Sequence, residues 1–298
     1  MSSITAPIVF VHIGDAPPDY AGEAVRQARR WNPDTPIVFL SSVVADYGAG
    51  EEWIELANIP LTDNHIKFRN TTILDTKFRN GFWRSTTERL FYLDDWAQWK
   101  GITEFFHIEN DNTVYMPLDE MLPTLRKECR GISAPFQGQG TKKNGDARMC
   151  FSVLYCNRRA ALTDFVYFLA GSRTDSDEMI RGGLYWQDNL DSCSCVPTAP
   201  PATRFACDTF RDWYENPEFS WVFDGAAYGQ YLGGEDPRNG PRGPGFINTD
   251  VDFRADQFLY EWRADAAGRR YPILLDAQGK EWRIANLHIH CKRLADFV

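Results

Sequence analysis

Apolar and polar positions follow one another in blocks whose periods switch between strand and helix. Pro7 to Gly14 (PIVFVHIG) is a short β-branched apolar run ending in Gly-Asp-Ala-Pro-Pro, the pattern of a buried strand entering a turn. From Tyr20 to Trp31 apolar residues recur at helical spacing (Ala21, Ala24, Val25, Ala28, Trp31), and Asn32-Pro33 stops the helix. Pro36 to Ser42 (PIVFLSS) is a second buried strand. Strand, helix and strand in this span form the βαβ unit of a parallel sheet, whose ligand sites lie at the carboxyl ends of the strands.

Further along, Phe82 to Lys100 reads as an amphipathic helix, capped by Ser85 or Thr86, with Leu90, Phe91, Leu93, Trp96, Ala97 and Trp99 as its apolar positions and Gly101 as its stop. Ile102 to Ile108, Met149 to Cys156 and Trp282 to Cys291 read as strands, and Arg158 to Leu169 as a helix. Cys193 to Pro201 and Gly233 to Pro244 are rich in Pro, Ser or Gly and read as loops. No internal repeat interrupts the pattern, so the 298 residues are read as one α/β domain.

Composition narrows the partners. With 43% hydrophobic and 24% charged residues the chain is globular, and its 14% aromatic residues fill a core with some left to stack on sugar or nucleobase rings. A net charge of −9 argues against a nucleic-acid backbone as partner. An acidic protein still binds a nucleotide diphosphate when a divalent cation stands between its carboxylates and the phosphates. The first residues lack a basic region followed by a long apolar run, and no stretch reaches the ~18 apolar residues of a membrane span, so a cytoplasmic protein is expected. Seven cysteines, an odd number, suit reduced and mostly buried thiols. Cys193-Ser-Cys195 with Cys207 lacks a second pair of matching spacing, which disfavours zinc.

The most informative segment is Phe105 to Tyr115 (FFHIENDNTVY), where an apolar strand abruptly presents Glu109, Asn110, Asp111 and Asn112. Acids at i and i+2 where a strand turns converge on one cation and offer hard oxygen ligands suited to Mg²⁺ or Mn²⁺; the bland alternative is a solvated turn. Neither G-x-G-x-x-G nor a P-loop is present, so another device must hold any phosphates. Near the C-terminus, Asn286, His288, His290 and Lys292 alternate with Leu287, Ile289 and Cys291, which puts the four polar side chains on one face of a strand.

Glu109 and Asp111 within HIENDN resemble the Asp-x-Asp motif, in its Glu-x-Asp variant, of the GT-A superfamily of nucleotide-sugar glycosyltransferases. The resemblance implies a single domain with a Rossmann-like central mixed sheet flanked by helices, residues 1–115 forming the nucleotide-binding half and 116–298 the acceptor-binding half. It implies that Glu109 and Asp111 hold Mn²⁺ or Mg²⁺ against the donor diphosphate, with His288 or His290 as a third ligand and Lys292 neutralising the leaving group. His12, Gly14, Asn110, Arg84 and Arg89 fall to the donor side; for Arg84 and Arg89 a surface salt-bridge face is the alternative. Asp177, Glu178 and Asp224 are the candidate catalytic carboxylates, although Asp177 also suits a helix cap and the small residues after Asp224 suit close packing. The partners implied are a nucleotide-sugar donor and a glycan or small-molecule acceptor, with no nucleic acid. Competing readings are a glycoside hydrolase, a sugar-nucleotide pyrophosphorylase whose glycine-rich opening loop is missing here, and a non-catalytic nucleotide-sugar-binding protein.

Overall fold

The computed structural model describes residues 6–138, 147–201, 203, 210–236, 238 and 242–298. Cys207 lies outside them, as does part of the Gly233 to Pro244 stretch. A central sheet runs in the order β3-β2-β1-β4-β8-β6-β7, where β1 is Ile8–His12, β2 Ile37–Ser41, β3 Glu52–Glu55, β4 Phe105–Ile108, β6 Ile132–Gly138, β7 Arg148–Met149 and β8 Val153–Cys156. β9 (Cys193–Val196) adds to it in parallel with β6. The half built on β1 is parallel, with Ile8 opposite both Ile37 and Phe106. β4 and β8 pair antiparallel, so the sheet is mixed. Helices flank it: α1 (Asp19–Trp31), α2 (Asp63–Thr71), α3 (Phe82–Lys100), α4 (Leu118–Glu128), α5 (Arg159–Gly171) and α6 (Glu178–Asp188).

The βαβ start, α3 and α5 stand where the periodicity puts them, but four expectations change. Cys193–Val196 is a strand rather than a loop, because Cys193 and Cys195 are apolar enough to be buried beside β6. Met149 to Cys156 is two strands: pairing with β6 changes register between Ser133↔Tyr155 and Phe136↔Met149, with the Cys150 amide still donating to the Pro135 carbonyl (2.8 Å) and Phe151 and Ser152 in the turn between. Trp282 to Cys291 is likewise two strands, β13 (Glu281–Ile284) in a four-stranded sheet with β10 (Trp221–Val222), β11 (Leu259–Ala264) and β12 (Arg270–Leu275), and β14 (Asn286–His288), which pairs antiparallel with β5 (Asn112–Val114). Finally, α3 is buried all round from Thr87 to Ala97 instead of being amphipathic, while Trp99 is exposed. Its cap is not Ser85 or Thr86 but Gly81 at φ 83°, a left-handed conformation that glycine enters without a Cβ penalty.

A helix buried on every side must satisfy its polar groups internally. Asp95 accepts from His65 Nδ1 (2.5 Å) and from the Thr62 amide (2.9 Å), and Glu88 meets His65 Nε2 (3.1 Å) and Arg69 Nε (2.6 Å). This buried cluster bolts α2 to α3. Burial alone would lower the His65 pKa, but the Asp95 and Glu88 carboxylates raise it above its usual value. A raised folded-state pKa means that the protonated ring stabilises the fold fully below the unfolded pKa of about 6.5, and that this stability is lost as pH rises through the folded value. We expect His65→Gln to destabilise by about 3 kcal/mol in mildly acidic urea melts, with the gap to wild type narrowing as pH rises. A gap of constant size at all pH would show that the charge is not involved.

Candidate functional site

β4 ends in a turn closed by the Asn112 amide donating to the Glu109 carbonyl (3.1 Å), which aims Glu109 and Asp111 out of the sheet at the carboxyl edge of its parallel half. β14 is laid against the next residues, with His288 opposite Asn112, and the Ile289 amide donates to the Asp111 carbonyl (2.8 Å). One ligand atom from each of Glu109, Asp111 and His288 consequently falls within 4.8 Å of the others. His288 Nε2 stands 3.3 Å from Asp111 Oδ2 and 3.4 Å from Glu109 Oε2. Lys292 Nζ contacts Asp111 Oδ2, and Arg89 Nη1 contacts Glu109 Oε1. Lys292 gets there from a left-handed backbone (φ 62°) after a turn at Ile289, not by strand alternation.

Charge pairing sets the protonation states. Burial opposes ionisation of Asp111, yet Lys292 and His288 hold its carboxyl well below the usual range. Burial likewise lowers the His288 pKa, but Asp111 outweighs it and raises the ring to about 9. Burial, followed by the charges of His288 and Lys292, keeps His290 far below its ordinary value. His290 Nδ1 pairs with Gln230 Nε2 (3.0 Å), and the ring is not among the three converging ligand atoms, so His288 alone of the two histidines joins the acids.

The three candidate carboxylates separate clearly. Glu178 is 2% exposed and lines the cavity beside Glu109 and Asp111, accepting from Thr86 Oγ1 (2.9 Å) with Arg89 Nη2 at 3.4 Å. Burial raises its pKa, partly countered by Arg89. Asp177 is the cap of α6, accepting from the Met179 and Ile180 amides (both 3.0 Å). Asp224 is fully buried and spends both oxygens on backbone amides: Ala227 and Tyr228 on one, Gly229 and His288 on the other. It is a structural clamp. Gly229 is required beside it, because a Cβ there would sit 2.1 Å from the His288 carbonyl oxygen. Arg84 is also reassigned: its nearest acid is Glu88 at 3.8 Å, and it is absent from the cavity lining.

Two cavities of about 230 and 220 Å³ meet at this point and share Arg79, Phe82, Thr86, Arg89, Glu109, Asp111 and Lys292. The smaller lobe is walled by Val11, His12, Tyr20, Asn110 and Arg238. Asn110 Nδ2 donates to the Val11 carbonyl (3.2 Å) and reaches His12 Nδ1 (3.3 Å). Gly14 does not line either lobe; at φ 119° it turns the chain, its amide donating to Ser42 Oγ (3.1 Å). The larger lobe continues to Phe78, Trp83, Gln137, Cys150, Glu178 and Gln230. Tyr20, Phe78, Trp83, Gln137 and Gln230 carry no motif and escaped the reading of the sequence.

Solved structures resemble this architecture at low sequence identity. Mouse xyloside xylosyltransferase 1, apo form, is 9% identical over 70% of this chain and 92% of its own, with a TM-score of 0.46. The galactosyltransferase LgtC, in complex with donor and acceptor sugar analogues, is 13% identical over 69% of this chain and 80% of its own, with a TM-score of 0.40. A glycosyltransferase involved in glycosylation of the major capsid of PBCV-1 is 11% identical over 66% and 84%, with a TM-score of 0.34. No family model matches the sequence. No curated protein matches it.

The two reassigned acids are separable by stability. Asp224→Ala strands four amide donors in the core and should cost about 3 kcal/mol or more in urea denaturation. Asp177→Ala removes one helix cap and should cost about 1 kcal/mol. A fully stable Asp224→Ala would refute the clamp.

Proposed function

We propose that this chain is a metal-dependent glycosyltransferase of the GT-A type, moving a sugar from a nucleotide diphosphate donor to a hydroxyl acceptor. One observation carries the reading: two carboxylates and an imidazole converge at the carboxyl end of a parallel strand, at the junction of two cavity lobes, with Lys292 and Arg89 beside them. Two hard oxygens and one imidazole nitrogen fit Mn²⁺ or Mg²⁺. Glu109, Asp111 and His288 would hold such an ion, which would supply Lewis-acid stabilisation of the diphosphate leaving group.

The chain's own groups do the rest. Lys292 offers a second positive charge to the diphosphate once released from Asp111. Arg89 spans Glu109 and Glu178, fixing the metal side of the site against its sugar side. His12, Asn110 and Tyr20 line the lobe assigned to the nucleoside. Glu178, already desolvated, is the carboxylate that meets the transferred sugar. Among the described residues no helix is long and apolar enough to cross a membrane. Six described cysteines are free thiols, which supports a reducing compartment such as the cytoplasm.

A thermal-shift panel of nucleoside diphosphates and their sugars, with and without Mn²⁺, tests the reading. A ligand of the folded state at a hundredfold excess over its Kd adds about 2.7 kcal/mol, so the right nucleotide should raise Tm by several degrees. The rise should require the metal and vanish in Asp111→Asn. If no nucleotide shifts Tm with Mn²⁺ present, the proposal fails; glycoside cleavage indifferent to chelator would instead identify a hydrolase.

A further inference from the structure

The larger lobe has two kinds of surface that the metal and donor chemistry leave unexplained. The first is aromatic. Just before α3 the chain passes through three consecutive left-handed residues, Arg79 (φ 47°), Asn80 (φ 58°) and Gly81 (φ 83°). Two of them carry side chains and are strained there, a state that persists only where the surroundings enforce it. Here Arg79 is held by Asp236 (2.6 Å) and lies over the Phe82 ring at 4.7 Å. The result is to hold Phe78 out over the first turn of α3, still 43% exposed, parallel to Trp83 at 6.2 Å and 11°. Phe78, Phe82 and Trp83 all line the cavity.

The second surface is polar and unpaired. Gln137 is 2% exposed and gives its Nε2 to the Gly225 carbonyl (2.6 Å), leaving Oε1 without a partner. Gln230 is 5% exposed and shares one hydrogen bond with His290 Nδ1, leaving Gln230 Oε1 and His290 Nε2 without partners. Whichever way that amide is turned, the pair keeps one free donor and one free acceptor. All three residues line the same cavity as the aromatic rings. Buried polar atoms are ordinarily paired, so a group of them around one cavity points to a ligand that supplies partners.

An apolar face and a set of hydrogen-bonding edges are the two surfaces of a sugar ring. We propose that the larger lobe is a saccharide subsite, in which the C–H face of an acceptor sugar stacks on Phe78 and Trp83 while its hydroxyls pair with Gln137, Gln230 and His290. A purely aromatic or lipid occupant would suit the rings and leave the amides unpaired. Calling the saccharide the acceptor rests on the glycosyltransferase reading; the stacking itself does not.

Saturation-transfer NMR on the full chain with cellobiose, lactose, maltose and xylobiose, in the presence of Mn²⁺ and each nucleoside diphosphate, tests this directly. At least one disaccharide should receive saturation at its C–H protons. Phe78→Tyr, which keeps the flat face, should bind it as wild type does. Phe78→Leu, which keeps apolar area without the face, should bind it about tenfold more weakly at unchanged Tm. The proposal is overturned if none of the disaccharides receives saturation from wild type, or if Phe78→Leu binds as tightly as wild type. Because binding is read without turnover, a silent nucleotide panel beside a positive disaccharide sinks the donor reading and leaves the subsite, and the reverse result does the opposite.

Discussion

Everything at the centre of this molecule depends on keeping three carboxylates, one buried and two partly buried, neutralised. Glu109, Asp111 and Glu178 face Arg89, Lys292 and the protonated His288 in a cluster of alternating charge. A buried ion left without its partner is far costlier than the pair is favourable, so each member constrains its neighbour's position. The members come from α3, the turn after β4, the start of α6 and the C-terminal segment. Electrostatics therefore ties together four parts of the chain that hydrophobic packing alone would hold less exactly in register. At Asp111 the positive positions are taken by Lys292 and the His288 ring.

Delivery of the C-terminal segment is a separate problem, solved by hydrogen bonds to side-chain amides and to the Asp224 carboxyl rather than by ion pairs. Asn286 bridges Asn112 (2.8 Å) and the Asp224 amide (3.0 Å), while Asp224 takes the His288 amide (2.9 Å). Backbone polar groups that meet no ladder partner must find another. Asp224 collects four of them at once, which lets the three-residue strand β14 end beside the short helix Tyr228–Gly233. An acid that organises amides this completely has no oxygen left for a substrate; the sequence shows only a carboxylate at the head of a Gly/Ala-rich segment, which leaves a catalytic reading open because the amides that occupy it come from folding.

Local pattern revealed the parts of the fold whose causes are local. The βαβ start, α3 and α5 follow from periodicity and from stops such as Asn32-Pro33 and Gly101. Glu109 and Asp111 stood out because polar residues interrupt an apolar strand. What pattern missed has long-range causes. The break at Cys150 to Ser152 comes from a register change against β6, and the choice of His288 over His290 comes from pairing with β5. The burial of α3 from Thr87 to Ala97 depends on partners in α2 and α5, since Asp94 is met by Thr163 (2.7 Å) and Asp95 by His65. Phe78 and Gln137 have no sequence signature at all: one is displayed by left-handed backbone, the other isolated by a single carbonyl.

The stretch from Arg79 to Arg89 lies along the seam of the two lobes, and the proposed donor and saccharide sites would account for their adjoining. A diphosphate requires concentrated positive charge, whereas a sugar ring requires a flat apolar face with neutral hydrogen bonds nearby. Those demands conflict if one surface must meet both. Here the helix separates them by position: Phe82 and Trp83 lie in its first turn, Thr86 and Arg89 one and two turns later, and Glu178 stands between Thr86 and Arg89. One rigid element thus presents apolar face, hydroxyl and guanidinium in sequence. Because α3 is bolted from behind by His65 and buried from Thr87 to Ala97, the spacing between charged and stacking surfaces is set by helix geometry and not by a loop.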